Sequence, residues 1–164
     1  MKKYLFPIFS FAILWASCAG DGPSKAKLSS RSLLEYGVPI TIMAPDSTEV
    51  ETMDFKVTKD ISLKGPDGYF VQIFASEAST QRSDQIKQEQ LAEVRSNPYF
   101  TRLVKEEPDG FIFETMVDST RQNFDFRYVQ IKGDWEYIFR RGLSGRFTLE
   151  QVEMMYDAVK PVVE

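Results

Sequence analysis

The side chains that could do chemistry in this chain are few. It has no histidine and one cysteine, Cys18. Ser-His-Asp and Cys-His catalysis both need an imidazole to take the nucleophile's proton, so neither can be built. A zinc site would lack both its imidazole and its thiolate cluster. The usual side-chain titration between pH 5 and 8 is missing as well. Carboxylates, Lys, Arg, Tyr and Ser remain. Gly142-Leu143-Ser144-Gly145 holds a serine between glycines, but the second glycine directly follows Ser144; a nucleophile elbow places it two residues later. Glu106, Glu107 and Asp109 crowd one turn without the spacing of a 12-residue calcium loop, and they read as a solvated turn. The sequence therefore assigns no catalytic residue, no metal ligand and no cofactor.

What the last third of the chain does offer is recognition chemistry. Arg127, Arg140 and Arg141 are interleaved with Trp135 and Tyr137. Arginine binds carboxylates through two parallel hydrogen bonds, and Arg and aromatics are enriched where partners bind tightly. These five residues are the candidate surface for a partner or an anionic ligand. The plainer reading, a solvated strand face opposite a core face, accounts for the same alternation.

The elements that must carry these residues are strands. Val38, Ile40 and Ile42 alternate before Pro45, and Phe55, Val57, Ile61 and Leu63 alternate with polar residues. Gly65-Pro66-Asp67-Gly68 turns the chain into Tyr69–Ala75, which is apolar on both faces and so predicts a covered central strand. Thr80 to Ser96 predicts a helix capped by Ser79 or Thr80, with Ile86, Leu91 and Val94 on one stripe. Strands over Tyr99–Lys105 and Phe111–Val117 flank a second Pro-Asp-Gly turn, and Phe124–Lys132 pairs with Trp135–Arg141 across Gly133-Asp134. Thr148, with Gln151 three residues on, starts a last helix whose stripe is Leu149, Val152, Tyr156 and Val159. Met155 and Met154 read as helix core with one of them partly exposed. The sum is an α+β domain: an antiparallel sheet of about seven strands with two amphipathic helices.

The first eighteen residues decide where the domain goes. Lys2 and Lys3 precede an apolar run from Tyr4 to Ala16. A basic start, an apolar run of about 7–15 residues and small residues at its end describe an export signal, residues 1–17. Trp15-Ala16-Ser17-Cys18 resembles the lipobox of bacterial lipoproteins, although Trp15 stands where a Leu-type residue is usual. The resemblance implies a lipid on Cys18, a strong enough anchor for stable membrane residence, and Ala19 after it implies the outer membrane of a cell envelope. Cleavage after Ala19 is the alternative, and it would discard Cys18. Residues 18–31 read as the lipidated cysteine and a flexible Gly/Ser/Lys tether, and residues 32–164 as the single folded domain. Net charge is −4 for the whole chain and −6 without Lys2 and Lys3, which argues against nucleic-acid partners.

The order of elements is similar to the PsbP-like α/β sandwich. The likeness rests on VPITIMAPDS, on the hairpin into GYFVQIFAS and on the closing FTLEQVEMMYDAVK. Members of that family are lumenal or exported binding proteins, which implies a non-catalytic module. The expected function is an exported, membrane-anchored binding module acting on an envelope protein or a small ligand. The alternative is a histidine-free enzyme that uses paired carboxylates on an exported glycan or small ligand.

Overall fold

Short turns decide the topology. At Gly65-Pro66-Asp67-Gly68 the Gly65 N–H donates to the Tyr69 carbonyl (2.8 Å) and the Tyr69 N–H to the Pro66 carbonyl (3.0 Å). Asp67 and Gly68 take φ of 55° and 81° to close it, a conformation glycine adopts without a Cβ clash. The computed structural model describes residues 27–118 and 121–161. Along them run β1 (Leu28–Ser32), β2 (Thr41–Pro45), β3 (Glu49–Asp54), β4 (Thr58–Lys64), β5 (Phe70–Glu77), α1 (Ser83–Ser96), β6 (Phe100–Glu107), β7 (Gly110–Met116), β8 (Gln122–Lys132), β9 (Trp135–Arg141) and α2 (Leu149–Ala158). A single 3-10 turn at Leu34–Tyr36 joins β1 to β2.

Seven strands form one sheet in the order β3-β4-β5-β9-β8-β7-β6, and β1 and β2 pair as a separate hairpin. Every pairing in the seven-stranded sheet is antiparallel. The α+β class with a seven-stranded antiparallel sheet and two helices is as expected, but the membership of the seven differs. Glu49–Asp54 enters the sheet as its edge, and the strand ending at Pro45 leaves it to pair with Leu28–Ser32. Leu28 to Arg31, expected as the end of the tether, are strand residues: the backbone ladder of β2 needs a partner, and this segment supplies it.

Alternation along the strands sorts the two faces of the sheet. Ile61, Leu63, Val71, Ile73, Phe126, Tyr137 and Phe139 point to one face, where they meet Ile42 of the β1–β2 hairpin and Val152, Met155 and Tyr156 of α2 in the main core. Each fully buried side chain of this size contributes about 1.5–3 kcal/mol of transfer free energy. On the other face Leu91 and Val94 of α1 cover Phe111 and Phe113 of β7. α1 lies over β8 and β6, with its Gln90 and Glu93 beside Phe74 of β5 and Ile138 and Arg140 of β9. The central β5 is thus covered on its main-core face and flanked by α1 on the other.

Two helix starts contrast. α2 has the expected cap: the Gln151 N–H donates to Thr148 Oγ1 (3.3 Å) and the Thr148 N–H donates to Gln151 Oε1 (3.0 Å). α1 begins three residues later than Thr80 predicts, with Arg82 at its N-cap and no side-chain cap. The reason is upstream. The Ala78 N–H donates to the Asp134 carbonyl (2.8 Å), Ser79 N–H to Glu136 Oε2 (3.2 Å), and Gln81 Nε2 to the Gly133 carbonyl (3.3 Å). Residues 78–81 are held against the β8–β9 turn, so the helix cannot start there.

Candidate functional site

Face sorting also separates the five candidate residues. Tyr137 shares the main-core face with Phe139 and is 1% exposed, and Trp135 packs half-buried against that same core. Strand alternation carries residues 135, 137 and 139 to the α2 side, so Tyr137 is out of reach of a surface partner, while Trp135 stays partly exposed. Arg127 and Arg140 occupy the opposite face, beside α1, and Arg141 closes β9 next to them. Three of the five therefore gather in one groove between α1 and the sheet.

The groove is built from adjacent strands. Phe124, Phe126 and Tyr128 turn inward, which leaves Asp125 and Arg127 of β8 on the α1 side. The same parity places Arg140 on β9 and Gln72 and Phe74 on β5, and strand pairing sets Gln72 opposite Arg140. Gln72 and Asp60 are both buried, and Gln72 Nε2 donates to both Asp60 carboxylate oxygens (2.9 and 2.8 Å). That fixes the amide with its oxygen toward β9, where it accepts from Arg140 Nε (3.2 Å). The Arg140 guanidinium then lies over the Phe74 ring at 4.2 Å from its centroid. Its two terminal nitrogens make no hydrogen bond among the described residues.

Arg127 is 8% exposed. Its Nη1 donates to Asp125 Oδ1 (3.2 Å) and to the Phe126 carbonyl (2.9 Å), and its guanidinium lies 5.5 Å from the Phe113 ring. Among the described residues its Nε and Nη2 donate to nothing. Arg141 is engaged differently. Its backbone N–H donates to Asp125 Oδ1 (3.4 Å), its Nη1 to the Gly142 carbonyl (2.9 Å), and its Nε sits 3.5 Å from Asp125 Oδ2. Asp125 thus anchors both arginines. Burial lowers the pKa of Arg140, and the neighbouring Arg127 charge lowers it further, while Asp125, Asp60 and Glu93 oppose this. The guanidinium remains charged at neutral pH all the same.

Two cavities open along this groove. One of about 290 Å³ is lined by Phe74, Gln90, Glu93, Arg127, Ile138 and Arg140. The other, about 240 Å³, lies toward the end of α1, and Arg127 and Glu93 line it too. Unused guanidinium donors in a concave, partly desolvated place can grip a planar oxyanion through paired hydrogen bonds. Sequence reasoning missed Asp60, Gln72, Phe74 and Glu93. The one available cue was Gln72, a polar residue inside an otherwise apolar strand.

The acidic turn at Glu106–Asp109 is solvent-accessible, as expected, but its carboxylates are also paired. Glu106 pairs with Lys87 of α1 (2.8 Å), and Asp109 Oδ1 accepts from Ser83 Oγ (2.7 Å). Glu107 pairs with Lys105 (2.7 Å) and Lys160 (2.9 Å) and accepts from the Tyr156 hydroxyl (3.1 Å). Lys105 first, then Lys160 and Tyr156, hold the Glu107 carboxyl down to about 2. Burial, with the Glu107 charge behind it, pushes the Tyr156 phenol far above its ordinary range. The turn is a clamp between the two helices.

Cys18 and the signal-like segment lie outside the described residues. Among the described residues no helix is long and apolar enough to cross a membrane. No family model, no curated protein and no solved structure matches the chain.

Proposed function

We propose that the chain is an exported lipoprotein, anchored through Cys18 in the outer membrane of a cell envelope. Its PsbP-like domain serves there as a non-catalytic binding module. The groove between α1 and the sheet is its recognition site, and it takes an anionic group of an envelope partner or small ligand. The observation that carries this reading is the pair Arg127 and Arg140. Both line one 290 Å³ cavity, and both keep guanidinium nitrogens with no partner among the described residues. Arg127 is buried and Arg140 partly buried; desolvating a cation is costly, and an anion that completes the hydrogen bonds of their open donors would offset that cost. The basic start, apolar run and Ala16-Ser17-Cys18 support the anchor.

The test is in-cell crosslinking followed by affinity purification, comparing the native chain with Arg140→Glu. Arg140 is the better choice, because a carboxylate at 127 would sit against Asp125. Loss of the crosslinked partner with an unchanged far-UV spectrum is expected. Undiminished capture by Arg140→Glu would remove the groove from consideration as the binding site.

A further inference from the structure

We infer that the groove takes a carboxylate-bearing saccharide, with its acid group on Arg140 and Arg127 and a neighbouring sugar ring in the second cavity. This rests on the reading of the groove as an anion site and names the ligand class for it. The two cavities share Arg127 and Glu93, so the second lies directly beside a ligand gripped in the first. Together they reach the lower part of the size range of small-molecule sites, about 300–1,000 Å³.

The second cavity also holds two arginines, Arg127 and Arg141, but two carboxylates, Glu93 and Asp125, offset their charge, whereas Glu93 alone faces Arg127 and Arg140 in the first. Asn97 and Asn123 line the second cavity as well. Each spends its Oδ1 within the protein: Asn97 accepts from the Tyr99 N–H and Asn123 from the Phe147 N–H, both at 2.9 Å. Each amide is thereby oriented, with its Nδ2 left as a donor that has no partner among the described residues. Tyr99, 48% exposed, and the buried Phe113 add aromatic surface. Fixed neutral amide donors beside aromatic rings suit the hydroxyl and carbonyl oxygens and the C–H face of a sugar ring. A second carboxylate is less favoured there than in the first cavity, because Glu93 and Asp125 together offset Arg127 and Arg141. The Glu93 carboxylate instead offers an acceptor for hydroxyl groups. A peptide added as a strand does not fit either. β7 and β8 each have a neighbour on both sides, so the cavity faces no open backbone ladder.

The experiment is titration calorimetry on the full-length chain in detergent micelles. The probes are trigalacturonate, maltotriose, triglutamate, acetate and inorganic phosphate. Trigalacturonate should bind at least about tenfold more tightly than acetate, phosphate or maltotriose. Arg140→Gln should bring trigalacturonate down to the level of maltotriose. Tyr99→Ala should weaken trigalacturonate and leave acetate unchanged. Equal binding of trigalacturonate and acetate, with Tyr99→Ala silent, would overturn the saccharide assignment while leaving the anion site standing. Tighter binding of triglutamate than of trigalacturonate would overturn it in favour of an acidic peptide. Absence of binding by every anion would overturn both the assignment and the site.

Discussion

Asp125 and Glu107 show how differently a carboxylate behaves according to what surrounds it. Asp125 accepts from two arginines at the groove and leaves both with donors to spare, Arg127 its Nε and Nη2 and Arg141 its buried Nε. Glu107 is saturated by Lys105, Lys160 and Tyr156 and has nothing left to offer a ligand. Its role is structural, and it carries a pH signature. Folded Glu107 releases its proton at about 2 instead of the ordinary 4.5. The unfolded chain binds that proton more tightly, so ionised Glu107 stabilises the fold above about pH 4.5, and the gain fades as pH falls toward 2. With a partly exposed side chain the effect is on the order of 1 kcal/mol after solvent screening. Glu107→Gln should lower the melting temperature at pH 6, and the gap from the native protein should close between pH 4.5 and 2. A gap that stays constant over that range would show that the carboxylate is not the source. At this scale the sequence displayed the arginines but not their states. Arg127, Arg140 and Arg141 look alike in a string, and only Gln72 and Asp60, from strands far upstream, set Arg140 apart by aiming it.

At the scale of elements, local signals were read correctly where they were local. Thr148 and Gln151 are three residues apart, and the capping box forms as their types require. Thr148→Ala should cost about 1 kcal/mol of stability, read from denaturant midpoints at constant slope. An unchanged midpoint would mean that α2 is held by its packing alone. Phe55 and Val57 mislead in the other direction. Their alternation with Ile61 and Leu63 reads as one strand, yet they stand at the β3–β4 turn, 59% and 74% exposed. Asp54 Oδ1 accepts from the Lys56 N–H, and Lys56 takes φ of 71°, which reverses the chain before β4 begins. Phe55→Ala should therefore change stability by no more than about 0.5 kcal/mol. Ile61→Ala, at 0% exposure, should cost about 2–5 kcal/mol. Comparable losses for the two would place Phe55 in the core after all. The start of α1 was illegible for a related reason: the ties from residues 78–81 to Gly133, Asp134 and Glu136 span over 50 positions of sequence.

For the whole molecule, the anchor and the groove are separable claims. Cys18→Ala should move the protein from the membrane fraction to the soluble fraction while leaving groove binding of trigalacturonate intact. Continued membrane residence of that variant would point to retention of the apolar run or to another means of attachment. The amino-acid sequence by itself determined what chemistry is absent, since missing histidines cannot be supplied by folding. It also determined the α+β class, because strand alternation, turn chemistry and helix stripes are short-range consequences of residue type and spacing. Tertiary structure decided the site. The path from Asp60 to Gln72 to Arg140 crosses three strands, and α1 is laid over the β8–β6 half of that face, beside Arg140 and Phe74. Those relations depend on strand order, which sets β9 between β5 and β8, and strand order depends on how the apolar faces are buried together, not on any neighbouring residues in the chain.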